Sequence, residues 1–129
     1  MEYLIGFILA AVVIAFARLT GFDRDRAYYP IVLIVVATYY ILFAAMGASR
    51  ALLIESLAAA LFTVMAVAGF RKNLWFAAAG LAAHGVFDFF HHLLIENPGV
   101  PVWWPGFCLA YDVLAGGYLA ARLMREMRR

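Results

Sequence analysis

Residues 84 to 92 read HGVFDFFHH, and these nine positions hold His84, Asp88, His91 and His92, which include all three histidines of the chain. Imidazole and carboxylate together can ligate a divalent metal, relay protons, or tie helices to one another. Their spacing favours one shared site. At about 100° per residue, Asp88 lies ~40° from His84, His91 ~20° the other way, and His92 ~80° from His84. Asp88 is i,i+4 from both His84 and His92 and i,i+3 from His91, the spacings at which helix side chains meet. A second carboxylate, Asp112, stands i,i+4 from Cys108 with Tyr111 beside it, and Glu55 is a further acid inside an apolar run.

A divalent metal is the first reading. The candidate ligands are His84, Asp88, His91, His92 and Asp112, with Glu55, Cys108 and Tyr111 as secondary candidates. Zinc, iron or copper suits such donors, and a bound ion would support chemistry on a membrane-soluble substrate. The pattern is not HExxH or another dedicated signature, so the metal reading rests on clustering. Two other readings stay open: a proton- or ion-coupled small transporter, and a non-catalytic subunit whose polar face docks a partner helix. Against transport, the inner half offers only hydroxyls, such as those of Thr38 and Thr63. Single residues also have plainer roles, since a lone cysteine is ordinarily a small apolar filler and Glu55 is near enough to an interface to snorkel.

The elements that must position these groups are membrane helices. The 129-residue chain is 67% hydrophobic and 14% charged. One core of that size cannot hide so much apolar surface, so part of the solvent must be lipid. Apolar runs at 3–18, 28–46, 51–70, 74–95 and 103–123 predict one domain: an all-α polytopic bundle of five transmembrane helices. Nine basic residues fall at the first and third connections and the C-terminal end, and only Arg50 falls elsewhere. This bias predicts an outside N-terminus and a cytoplasmic C-terminus. The small-x-small step at 15–17 resembles a signal-peptidase site, but the run begins with Glu2 and no positive charge, so it is expected to stay. The small net charge of +2 gives no nucleic-acid footprint.

Depth sharpens the picture. With the fourth span centred near His84, Asp88 is ~6 Å and His91 and His92 ~10–12 Å toward the outside. Asp112 is near the midplane, with Cys108 ~6 Å and Glu55 ~8 Å outward. The expectation is a pocket between the fourth and fifth spans that opens outward. Small-residue pairs, among them Gly80 with Ala77 and Ala83, and Gly117 with Ala121, would let the helices approach closely. Five short helices bury little surface, so the lipid bilayer, a second copy or a membrane complex is the expected partner. A retinal Schiff base is excluded, because the only lysine, Lys72, lies in a connection. Histidines on one helix cannot sandwich a haem within one chain.

The run HGVFDFFHHLLIENP, with the later cysteine and aspartate, resembles a family of small, uncharacterised bacterial integral membrane proteins. Their pattern is H-x3-D-x2-H-H, then Asn-Pro, then a cysteine and an aspartate in the last helix. The matching residues are His84, Asp88, His91, His92, Asn97, Pro98, Cys108 and Asp112. The gap before Asn97 is longer here, and Tyr111 stands where that pattern sets a second cysteine, which weakens a thiolate-metal reading. The resemblance implies shared residues and no particular activity. A looser analogy is to seven-helix membrane hydrolases that hold zinc with three histidines and an aspartate.

Overall fold

The computed structural model describes every residue except Ala48. Five α-helices account for most of the chain: α1 (Glu2–Thr20), α2 (Tyr28–Gly47), α3 (Leu52–Arg71), α4 (Trp75–Leu94) and α5 (Trp104–Met127). The described residues contain no strand, as expected where backbone groups must be satisfied within each segment. Gly21 ends α1 in the left-handed conformation, at φ 83°, which a Cβ would oppose. At the other end of the fourth connection, Pro105 sits in the first turn of α5, where its missing N–H costs nothing.

Four helices, α1, α2, α3 and α5, are long and apolar enough to cross a membrane. The exception is α4. Its length matches theirs, but three histidines and Asp88 offset its alanines and phenylalanines. This polar helix is also the hub, since it packs against α2, α3 and α5, whereas α1 rests on α5. Its polar groups are therefore shielded by neighbours that are themselves apolar.

Leu33, Phe62, Ala66, Ala77, Leu81 and Leu119 form the centre of the core, with contributions from α2, α3, α4 and α5. Large apolar side chains also face outward, including Phe7, Val12, Leu57, Leu61, Val64 and Val86. So continuous an apolar exterior is consistent with contact with lipid.

The α4–α5 seam positions the site. A Cβ on Gly116 would meet the Ala78 carbonyl oxygen at 2.9 Å, and one on Gly85 would meet the Asp112 Cβ at 3.2 Å. Gly117, the glycine expected to pack, has open space where its Cβ would be. Its neighbour Gly116 makes the close approach instead.

Candidate metal centre

One ring nitrogen organises the deepest polar group. His84 Nδ1 lies 2.7 Å from Asp112 Oδ2 and 3.2 Å from Asp88 Oδ2. Asp88 comes from the same helix one turn on, and Asp112 crosses from α5 at the Gly85 contact. All three side chains are at most 1% exposed. Ligand atoms from these residues lie within 4.8 Å of one another, near enough to share one ion.

Donors and acceptors do not balance here. Nδ1 carries at most one proton, and its hydrogen-bonding contact is with Asp112. Both Asp88 oxygens and Asp112 Oδ1 are buried and make no hydrogen bond among the described residues. Buried carboxylate oxygens without a donor or a cation cost several kcal/mol, by the usual magnitude for uncompensated buried charge, ~3–5 kcal/mol. A positive centre among these oxygens would remove that penalty.

Aromatic rings enclose the group. Phe62 meets the His84 ring edge-on at 4.7 Å between centroids, and Phe87 and Tyr40 stand 6.1 and 6.3 Å away. The Cys108 thiol and the Tyr40 hydroxyl both lie beside Asp88. Neither belongs to the three-residue ligand group.

His91 takes a different partner. Its Nε2 lies 2.6 Å from Glu55 Oε1 on α3. Asn97 Nδ2 donates to the same Glu55 oxygen at 2.9 Å and to the Tyr40 carbonyl at 3.3 Å, and Asn97 Oδ1 accepts from the Gly99 N–H. The Tyr40 ring stacks on His91 at 4.1 Å, between this pair and His84. The single expected pocket is thus two adjoining polar sites: His84–Asp88–Asp112 deep within the bundle, and Glu55–His91–Asn97 beside the loop that leads into α5.

His92 stands outside both. It is exposed and lines a cleft of about 480 Å³ with Glu2, Glu96 and several prolines. Its angle on the helix is no obstacle, because Gly85 and Ala78 lie further round the same side and are buried. Tyr111 is half-buried and lines an apolar groove of about 350 Å³ with Tyr39, Trp104 and Cys108. Sequence reasoning singled out the ionisable residues and the amide of these sites, and missed the rings that enclose them, Tyr40, Phe62 and Phe87. The one signal for Tyr40 was a phenolic hydroxyl near the depth of Asp88, shared with its neighbour Tyr39.

No protein-family model, curated protein or solved structure matches the chain.

The functional reading therefore comes from the site. One imidazole nitrogen and two carboxylates form a hard to borderline donor set suited to zinc, iron or manganese. A divalent ion there would be held by His84, Asp88 and Asp112, and would supply Lewis acidity.

Proposed function

We propose that the chain is a five-span integral membrane protein of the bacterial inner membrane, N-terminus outside, with an intramembrane divalent-metal site that acts on a membrane-soluble substrate. The carrying observation is the convergence of His84, Asp88 and Asp112 on one buried point, with three of their carboxylate oxygens making no hydrogen bond among the described residues. A divalent ion would supply Lewis acidity at that point. The chain's own residues would hold it from two helices, while Phe62, Phe87 and Tyr40 exclude bulk water.

Two openings support this reading. The apolar groove between α2 and α5 reaches Cys108, which adjoins Asp88, and so faces the lipid phase. The outer cleft reaches His91 and Asn97. A substrate with a polar head and an apolar body fits a site placed between such openings. In this reading α4 crosses although it carries three histidines and Asp88, because its polar face is covered by the neighbouring helices.

Elemental analysis of protein purified through a tag without histidines tests the metal. One ion per chain in the wild type, lost in His84→Ala and in Asp112→Asn, is the expected result. Metal-free wild-type protein that gains no thermal stability from added zinc, iron or manganese would sink the reading.

Coupled ion movement is the second reading. Its support is the adjacency of the two polar sites, which carries ionisable groups from the outer cleft to His84 through the Tyr40–His91 stack. It predicts flux in proteoliposomes that Asp112→Asn abolishes, and flux that is unchanged in that variant would exclude it.

A further inference from the structure

At the end of the bundle away from His92, four arginines surround one pocket. Arg18 from the last turn of α1, Arg122 and Arg125 from the end of α5, and Arg129 just beyond it line a space of about 170 Å³ with Tyr118, Ala121 and Glu126. We propose that this pocket binds the phosphate of an anionic phospholipid headgroup.

The arginines differ in how they are held. Arg122 is fixed: its Nε donates to Glu126 at 3.0 Å and its Nη1 to the Asp23 carbonyl at 2.6 Å. Its Nη1 also lies 3.7 Å from the buried Asp23 carboxylate, which Arg18 approaches at 4.0 Å. These two acids engage Arg122 and Arg18. Arg125 and Arg129 form no ion pair among the described residues and are exposed. The pocket thus holds an excess of positive charge, with one guanidinium pre-oriented and two free to close on a ligand. Guanidinium forks match phosphate oxygens, and the Tyr118 hydroxyl adds a further donor type.

The surroundings choose a lipid over a soluble phosphate. Phe16, Leu19 and Met124, all strongly exposed and apolar, flank the arginines on these same helix ends. That places the pocket where apolar helix surface meets charge, the level of lipid phosphates in a spanning bundle. The inference rests on the helices crossing a bilayer and is independent of any metal at His84.

The test is native mass spectrometry of the full chain in neutral detergent, given equimolar phosphatidylglycerol and phosphatidylcholine. With roughly fivefold from each contributing arginine, the wild type should retain phosphatidylglycerol about tenfold or more over phosphatidylcholine. Arg125→Gln with Arg129→Gln should lower that ratio by about fivefold or more, since the two unpaired charges are removed. These side chains carry no structural contact, so the helical circular dichroism should be unchanged. Arg50→Gln, a charge change at the opposite end, should leave the ratio at its wild-type value. Equal retention of the two lipids by the wild type would overturn the proposal without any variant. So would an unchanged ratio in the double variant, or an equal loss in Arg50→Gln. Displacement of the lipid by soluble glycerophosphate at the same concentration would assign the pocket to free phosphates and overturn the lipid assignment.

Discussion

His84 Nδ1 faces two carboxylates at once, 2.7 Å from Asp112 across the α4–α5 seam and 3.2 Å from Asp88 one turn along its own helix. A single ring nitrogen can donate to only one of them. The imbalance is the chemical content of the site, and the first prediction follows from it.

Metal binding should stabilise the fold by mass action. At an ion concentration one hundred times the dissociation constant, unfolding should become harder by ~2.7 kcal/mol. Thermal unfolding in detergent, with and without a chelator, measures the shift. His84→Ala and Asp88→Asn should abolish it, and His92→Ala should preserve it, because His92 is exposed and outside the ligand group. A shift that disappears only in His92→Ala would move the site to the outer cleft.

The Glu55–His91 pair joins α3 to α4, and Asn97 ties the following loop to the same oxygen. Removing one partner leaves the other buried and uncompensated, so Glu55→Ala or His91→Ala should each cost ~3–5 kcal/mol. The two changes should be strongly non-additive, the double variant costing little more than either single one. Reversible unfolding in mixed micelles gives the cycle, and simple additivity would show that the pair is not coupled.

Tyr40 separates the two polar sites. Its hydroxyl is buried without a hydrogen-bond partner, while its ring stacks on His91. Tyr40→Phe keeps the stack and should change stability by less than ~1 kcal/mol. Tyr40→Ala should cost ~3–5 kcal/mol through the cavity it leaves and loosen metal retention as well. Equal effects from both variants would mean that the hydroxyl, not the ring, carries the role.

Adjacent glycines on α5 should behave oppositely. Gly116 lies against the α4 backbone, whereas Gly117 has open space in place of its Cβ. Gly116→Leu should separate the helices, destabilise the bundle by several kcal/mol (~3 or more), and disrupt the His84–Asp112 contact. Gly117→Leu should stay within ~0.5 kcal/mol of the wild type, as surface changes usually do. A resistance-to-unfolding comparison in denaturing detergent distinguishes them.

Much of this was legible in one dimension. The apolar runs located all five helices to within a few residues, because hydropathy and length constrain a lipid-solvated segment strongly. The i,i+4 spacing put His84 and Asp88 together, since helix periodicity fixes which side chains share a face. Counting rise per residue brought Asp112 to the depth of His84, where the structure pairs them.

The rest depended on how the helices rotate and pack against one another. Periodicity defines a face of one helix and leaves open which helix covers it. Thus His91, within the same arc as His84, turns to Glu55 on α3, because α4 packs between α3 and α5 and offers each a different edge. Tyr40 enters between the two histidines from α2, where Thr38 and Tyr39 stand at nearly the same depth, so no spacing rule singled it out. Gly116 rather than Gly117 makes the close contact, because one residue is a 100° rotation and only packing sets the zero of that angle. The sequence alone determined that ionisable groups would lie inside an apolar bundle, because helix periodicity gathers them on one face. Tertiary structure decided which of them meet, because a contact between helices is fixed by the rotation and crossing of both.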